Sequence, residues 1–260
     1  TASGTQRLFC HTAHNVSGEQ GFNIILTSNS TGRFTWSTDG TDEESWTFAN
    51  CMDQNTWTHF ALTRTGTSLK VFKNGALVDS TTDSDMTTIY GGGKPLFIGA
   101  MNQSNTSVTG YFAGYVDEVR FSNTVRYSGA FDVATTAFTS DQYTKLLLHM
   151  DGSDDGTTFT DSADSGGGRH TITANGNVTN TRAQSKVGDS SIKFDGTGDY
   201  LELPDSPDWQ LGGGTGDFTW ETWIYPTDTV SEGRFLGQRS DDDNRWSIEL
   251  YLGKITFYMK

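Results

Sequence analysis

Residues 57–82 read WTHFALTRTGTSLKVFKNGALVDSTT and contain three short apolar runs separated by turn residues. In the first run Phe60 and Leu62 alternate with side chains of the opposite face, which is the period of two expected for a β-strand. The dipeptide Asn74-Gly75 separates the second and third runs. Asn-Gly is the preferred two-residue hairpin turn, because both positions need positive φ. This stretch therefore predicts antiparallel strands.

The rest of the chain has the composition of an all-β protein. The 260 residues include 30 Gly and only 4 Pro, with 12% aromatic and 33% hydrophobic residues. Such sequences are typical of many strands joined by tight turns, and no long stretch has a helical period. A hydrophobic share of one third is sufficient, because a sandwich buries one face of each strand.

The net charge of −14 excludes some classes of partner. We expect no nucleic-acid partner, because an acidic surface repels phosphate backbones. The chain also lacks an apolar run of membrane-spanning length, so we expect no membrane insertion.

The end of the chain resembles its beginning. RFL at residues 234–236 corresponds to RLF at 7–9, and GKITF at 253–257 corresponds to GRFTW at 32–36. This weak internal repeat indicates that the chain begins inside one copy of a domain and ends inside the next.

Several motifs resemble the laminin-G-like jelly rolls of the concanavalin A-like lectin/glucanase superfamily. The start of such a domain is similar to LLLHMDG at residues 146–152, FDGTGDYL at 194–201 and GDFTWETW at 216–223. Its second half is similar to WTHFALTR at 57–64 and GYVDEVR at 114–120. The resemblance implies an all-β fold, an antiparallel two-sheet jelly-roll sandwich.

The order of these motifs predicts the domain organisation, because the second-half motifs come first. The simplest interpretation is a tandem array. Residues 1–128 would be the C-terminal part of one laminin-G-like jelly roll, 129–144 a linker packed on its neighbours, and 145–260 the N-terminal part of the next. The alternative is one circularly permuted domain, in which residues 111–121 and 146–150 pair in one sheet.

The junction over residues 125–152 also resembles linkers in lectin-like repeats of tailed-phage structural proteins, of the marine and cyanophage type. This resemblance implies a structural and adhesive segment of a virion fibre, tail or surface appendage. Its partners would be cell-surface glycans, other copies of itself and other virion proteins. The alternative is a secreted bacterial lectin-like adhesin at the cell surface.

Carbohydrate binding would use aromatic rings together with hydrogen-bonding side chains. Glu221, Trp223 and Tyr225 share one strand face, and Trp57 and His59 share another. We expect these five residues to contact glycans. The alternative for each tryptophan is core packing, since aromatic side chains dominate sandwich cores.

A polysaccharide-active enzyme of the same fold is the alternative from another class. A retaining glycosidase needs two carboxylates about 5 Å apart. Glu221 has no second acid at the alternate positions Thr219 and Tyr225. Asp117 and Glu118 are adjacent, so in a regular strand they would face opposite ways. We therefore expect no enzymatic activity.

Three acids are candidate metal ligands. Members of the superfamily often hold a structural Ca²⁺ between loops, and the resemblance implies such a site at Asp117, Asp151 and Asp161. Carboxylates in loops are suitable calcium ligands. The alternative is that Asp117 caps backbone amides in a turn.

The two cysteines, Cys10 and Cys51, do not form a disulfide framework by their number or spacing. Both lie in segments expected to be buried strands, where a thiol behaves as a small hydrophobic group. We predict that both are free.

Overall fold

The structure is a computed structural model that describes residues 10–11, 20–28, 31–40, 44–84, 95–104, 107–109, 111–164, 169–209, 216–227, 233–239, 245–251 and 254–259. Side chains are described at residues 36, 45–84, 95–100, 108, 111–164, 169–208 and 216–227.

The described residues form strands and one short 3-10 turn. The strands before residue 123 are β1 Cys10–His11, β2 Gln20–Ser28, β3 Thr31–Gly40, β4 Glu44–Ala49, β5 Thr58–Thr65, β6 Ser68–Lys73, β7 Ala76–Thr82, β8 Leu96–Ile98, β9 Met101–Ser104, β10 Ser107–Thr109 and β11 Ala113–Ser122. The later strands are β12 Thr144–Leu148, β13 Thr173–Asn175, β14 Thr179–Thr181, β15 Ser191–Asp195, β16 Tyr200–Leu203, β17 Phe218–Pro226, β18 Gly233–Arg239, β19 Arg245–Tyr251 and β20 Lys254–Met259. The 3-10 turn spans Pro207–Trp209.

Two large sheets contain most of these strands. An eight-stranded sheet has the order β14-β15-β11-β17-β5-β6-β7, with β12 beside the second half of β11. A seven-stranded sheet has the order β18-β19-β1-β20-β2-β3-β4. Smaller sheets join β13, β16 and β8, and β9 with β10. The pairings are antiparallel apart from one short contact between β1 and β20. The predicted all-β, antiparallel two-sheet architecture is confirmed.

The Asn-Gly hairpin shows how the local sequence specifies this architecture. Asn74 has φ of 50° and Gly75 has φ of 77°, and they connect β6 to β7. Both values are in the left-handed region that the sequence predicts for this turn.

The core lies between the two large sheets. Trp36 and Phe48 from the seven-stranded sheet belong to the same buried cluster as Phe60, Leu62 and Trp220 from the eight-stranded sheet. The alternation of Phe60 and Leu62 in β5 thus marks the face that the sequence predicts. Cys51 belongs to this cluster and is free, as predicted. The side chain of Cys10 lies outside those described.

The predicted division into two separate sandwiches is not what the structure shows, and we correct it. Strand β17 pairs with β5 on one side and with β11 on the other, and β12 also pairs with β11. Phe121, for example, lies opposite both Leu146 and Trp220. The physical reason is that β5 and β11 would each leave an unpaired edge, and β17 satisfies both. The described strands follow the circularly permuted alternative.

The repeated segments also lie in one sheet. Strand β20 from the end of the chain pairs with β2 from the beginning, with Ile24 opposite Phe257. The two similar hairpins, β2–β3 and β19–β20, are therefore neighbours.

Residues 123–143, which we call the strap, contain no regular element and cross the outer face of the eight-stranded sheet. Phe138 of the strap is buried, and the backbone N–H of Phe131 donates to the carbonyl oxygen of Gly75 at 2.9 Å. The predicted linker therefore packs on its neighbours, as expected, but it also covers a sheet face. Within the described residues, no helix has the length and apolar character needed to span a membrane.

Candidate functional site

A buried polar cluster lies beneath the strap, centred on Glu221 of β17. Its Oε1 accepts hydrogen bonds from the Arg120 guanidinium, with Nη2 at 2.7 Å and Nε at 2.8 Å. Its Oε2 accepts from the Tyr127 hydroxyl at 2.6 Å and lies 3.3 Å from His59 Nε2. Both carboxylate oxygens are therefore occupied by protein groups.

These contacts keep Glu221 ionised. Burial raises the pKa of its carboxyl, but the hydrogen bonds and charges of His59, Arg120 and Tyr127 outweigh burial and lower the pKa overall. Burial and the neighbouring carboxylate both raise the pKa of Tyr127, so its hydroxyl remains a donor. A carboxylate fixed in this way holds the strap in place and is closed to solvent.

The strap also covers two further residues of the predicted glycan site. Glu221 and His59 are fully buried, and Trp223 is only 6% exposed. The rings of Phe131 and Phe138 pack edge-on against His59, at centroid distances of 5.7 and 6.0 Å. The prediction that Glu221, His59 and Trp223 contact glycans is therefore corrected, because aromatic side chains of the strap occupy the space above them.

The other two predicted glycan residues remain partly exposed. Trp57 and Tyr225 lie 5.6 Å apart between ring centroids, and Tyr115 lies 5.8 Å from Tyr225 on its other side. We call Trp57, Tyr225 and Tyr115 the aromatic row. Strand pairing continues the row to the exposed Lys193, which lies opposite Tyr115.

Sequence reasoning missed Tyr115. The period of two in β11 places it on the same face as Asp117, which is a signal that the sequence carries. Its position beside Tyr225 depends on the register between β11 and β17, which the sequence alone does not specify.

The Asp161 carboxylate accepts hydrogen bonds from three backbone amides. Its Oδ1 accepts from the N–H groups of Leu147 and Ala163, both at 3.0 Å, and its Oδ2 accepts from the N–H of His170 at 3.0 Å. The carboxylate is buried and links β12 to the loop that follows it. The prediction of Asp161 as a metal ligand is corrected, because three amides already compensate its charge.

Asp117 caps backbone amides, which is the alternative that the sequence left open for it. Its Oδ2 accepts from the N–H groups of Lys186 and Val187, at 2.8 and 2.9 Å. Asp151 is exposed, and its Oδ1 accepts from the N–H of Asp189 at 3.3 Å. Among the described residues, no group of three or more His, Cys, Asp or Glu side chains could hold a metal ion. Asp117, Asp151 and Asp161 therefore do not fit a shared calcium site.

The Asp117 carboxyl has an unusually high pKa. Burial raises its pKa from the ordinary value of 3.8 to about 7, although the amides of Val187 and Lys186 lower it and the nearby Glu118 and Asp151 raise it further. Its Oδ1 is buried and has no hydrogen-bond partner among the described residues. This side chain is therefore largely protonated in weakly acidic solution.

Glu118 departs from the regular strand pattern. The register of β11 against β17 shifts between Asp117 and Arg120, and Glu118 has φ of 51°. Its Oε2 accepts from the N–H of Phe138 at 2.6 Å, and its Oε1 lies 2.7 Å from His149 Nδ1. The expectation that Asp117 and Glu118 face opposite ways assumes a regular strand, and the bulge removes that assumption.

A laminin G-type family model, described as the concanavalin A-like lectin/glucanases superfamily, matches residues 1–130, half of the chain. This chain belongs to the concanavalin A-like lectin/glucanase superfamily. No curated protein and no solved structure matches it in the other two comparisons.

The segment that matches the family model includes only some of the residues of the aromatic row and of the buried polar cluster. Trp57 and Tyr115 lie within the matched residues, whereas Tyr225 and Glu221 lie beyond them. The aromatic row and the cluster beneath the strap both depend on β17. They are therefore features of the assembled sheet rather than of the matched segment alone.

Proposed function

We propose that this protein is a structural, adhesive module that binds glycans weakly through the aromatic row. The observation that carries the proposal is the set of three neighbouring, partly exposed rings, Trp57, Tyr225 and Tyr115, on one sheet face. Strands β11 and β17 are paired along this region, so the two tyrosine rings are held on rigid elements.

The chemistry of the row suits a sugar. An aromatic ring offers a flat apolar surface to the C–H groups of a pyranose, and tyrosine hydroxyls exchange hydrogen bonds with its hydroxyls. Neighbouring rings in the row are inclined by 61° and 74°. A bound sugar would therefore stack on one ring and meet the edge of the next, with Lys193 as a further donor.

Such a surface implies weak binding at one site and useful binding at many. One stacked ring and a few hydrogen bonds give about millimolar affinity, roughly −4 kcal/mol. Several linked copies raise the overall avidity through effective concentration. This requirement favours a repetitive assembly of the protein with other copies of itself.

A catalytic function receives little support from the site. Hydrolysis with retention needs two accessible carboxylates about 5 Å apart. Glu221 is fully buried and bonded to Arg120 and Tyr127. The proposal is therefore a binding protein without enzymatic activity.

We place this activity in a virion fibre, tail or surface appendage. The support is the resemblance of residues 125–152 to linkers in tailed-phage structural proteins, together with the need for many copies. The alternative is a secreted adhesin on a bacterial surface. An antibody against the protein should label purified virions from its source, and labelling of bacterial surfaces alone would favour the adhesin.

The binding proposal is tested on a glycan array with a biotinylated protein tetramerised on streptavidin. We expect the wild-type tetramer to bind a subset of glycans, and Tyr225→Ala and Tyr115→Ala each to abolish that binding. Tyr143→Ala is the matched control, because Tyr143 is 44% exposed and lies beyond the opposite end of β11. Absence of wild-type binding, or unchanged binding by both variants, would contradict the proposal. Circular dichroism verifies that each variant is folded.

A further inference from the structure

A cavity of about 230 Å³ lies beside β12, away from the aromatic row. It is lined by residues 148–151, which include the end of β12, by residues 158–160 and 162 of the following loop, and by Asn180 of β14. Asn180 and Thr179 are adjacent on β14, so their side chains face opposite ways. Thr179 lies opposite Lys193 at the end of the row, and the cavity is therefore a separate feature.

His149 lines this cavity, and a hydrogen bond to Glu118 holds its ring in place. Its Nδ1 lies 2.7 Å from Oε1 of the fully buried Glu118. That hydrogen bond is the main cause of a raised pKa at His149, and it outweighs the opposing effect of burial. The other ring nitrogen, Nε2, has no partner among the described residues and is a donor when the ring is protonated.

Asn180 supplies a fixed acceptor. Its Nδ2 donates to the carbonyl oxygens of Gly156 and Thr158, each at 3.3 Å, and these two contacts determine which way the amide is oriented. Its Oδ1 is buried and has no partner among the described residues. A buried acceptor without a donor is unfavourable, so a ligand that brought a donor would stabilise this position.

The other polar residues at the cavity carry a carboxylate or a hydroxyl group. The exposed Asp151 lies at the rim, which it shares with an adjoining open groove that also contains Arg182 and Asp189. Thr158, Thr160 and Ser162, each with a hydroxyl group, also line the cavity. The lining residues therefore include both hydrogen-bond donors and acceptors.

This mixture selects one class of ligand. Sugar hydroxyls donate and accept, so they can satisfy both His149 and Asn180. A phosphate offers mainly acceptors, so it is a poor partner for the buried acceptor Oδ1 of Asn180. Among the residues that the structure describes, no group of three or more His, Cys, Asp or Glu side chains could hold a metal ion here. The volume is below the roughly 300–1,000 Å³ of pockets for drug-sized ligands, and it suits one sugar ring rather than a chain.

We infer that this cavity is a second ligand site, which binds a single neutral, hydroxyl-rich sugar residue through hydrogen bonds to the His149 ring and to Oδ1 of Asn180. The inference does not rest on the aromatic row. Phe159, which also lines the cavity and is partly buried against the core, provides the apolar wall for the sugar ring.

The test is NMR titration of the full, ¹⁵N-labelled chain with glucose, galactose, mannose, fucose and N-acetylglucosamine. We expect at least one sugar to shift the amide signals of residues 148–151, 158–162 and 180. His149→Gln and Thr160→Val should each weaken that binding by about tenfold, equivalent to the loss of about 1.4 kcal/mol. Thr157→Val is the matched control, because Thr157 is exposed in the same loop and does not line the cavity.

Several outcomes would overturn the inference. They are no shift with any of the five sugars, unchanged affinity in Thr160→Val, and the same shifts produced by inorganic phosphate or calcium chloride alone. Tyr225→Ala separates the two proposals. If it abolishes array binding but leaves the cavity signals responsive, both sites stand. If it removes the cavity response as well, the second site is rejected.

Discussion

Two buried acids on neighbouring strands show how the surroundings of a residue decide its chemistry. Glu221 is surrounded by Arg120, His59 and Tyr127, and these donors lower the pKa of its carboxyl despite burial. Asp117 receives two backbone amides on one oxygen and nothing on the other, so burial raises its pKa to about 7. The same kind of side chain is thus a fixed anion in one place and a titrating group in another.

Asp117 predicts a pH dependence of stability. Its folded pKa of about 7 exceeds its ordinary value of 3.8, so between these values the folded state binds more protons than the unfolded state. The contribution of Asp117 to stability is therefore present below about pH 4 and is lost as the pH rises through about 7. We expect Asp117→Asn to gain stability relative to wild type as the pH rises, because the amide keeps an acceptor for Lys186 and Val187 and cannot ionise.

The measurement is urea unfolding of both proteins at several pH values across that window. Comparison with wild type at each pH separates Asp117 from His149, whose raised pKa acts in the same direction. Asp132→Asn, at an exposed position in the strap, is the control and should follow wild type. A constant difference between Asp117→Asn and wild type at every pH would refute the assignment.

At the scale of elements, the strap is the decisive feature. Several contacts attach it to the eight-stranded sheet. The Tyr127 hydroxyl donates to Oε2 of Glu221. The backbone N–H of Arg126 donates to Oγ1 of Thr219 at 2.9 Å. The backbone N–H of Phe131 donates to the carbonyl oxygen of Gly75. A segment without a period of its own is thereby bonded to the sheet at several points.

Gly75 connects the strap to the β6–β7 hairpin, and its substitution is a specific test. Its φ is 77°, and a Cβ at this position would lie 2.0 Å from the carbonyl oxygen of Phe131. Gly75→Ala must therefore strain the turn and displace the strap backbone. We expect it to destabilise the protein by more than the roughly 1 kcal/mol typical of alanine at positive φ.

Gly66→Ala is the matched control for Gly75→Ala. Gly66 has φ of 54°, but no atom lies within 4 Å of the position that a Cβ would take there. The difference between the two variants in urea unfolding isolates the contact with the strap. Equal losses of stability would mean that only the turn conformation matters and that the strap does not depend on Gly75.

At the scale of the whole molecule, the strands before and after the strap form one sheet. Strand β17 lies between β5 and β11, and both pairings continue over most of its length. Two independent sandwiches joined by the strap would share no such pairing.

A cut in the strap tests this organisation. Gly129 is exposed and has no neighbour within 4 Å of its Cβ position, so a protease site inserted there should leave the fold intact. We expect the cleaved protein to elute as one species in native size-exclusion chromatography and to separate into two fragments only in denaturant. Two species under native conditions would support the tandem interpretation instead.

Features that depend on residues close together in the chain can be predicted from the amino-acid sequence. The Asn74-Gly75 turn and the alternating faces of β5 follow from local backbone preferences and from a period of two. The all-β class follows from many such segments, and the motifs indicate the superfamily. In the candidate site, Trp57 and Tyr225 are the residues that the sequence also predicts, and their contact with glycans stays a prediction.

The pairing of distant strands and the covering of the outer sheet face by the strap are seen only in the tertiary structure. Tyr115 joins the aromatic row through the register of β11 with β17, and the bulge at Glu118 turns that side chain towards the strap. The period of two places Trp223 and Tyr225 on the same strand face, yet Trp223 is buried and Tyr225 is partly exposed. The physical reason is that alternation distinguishes two faces of a strand, whereas pairing and covering depend on free energies of contact between residues far apart in the chain.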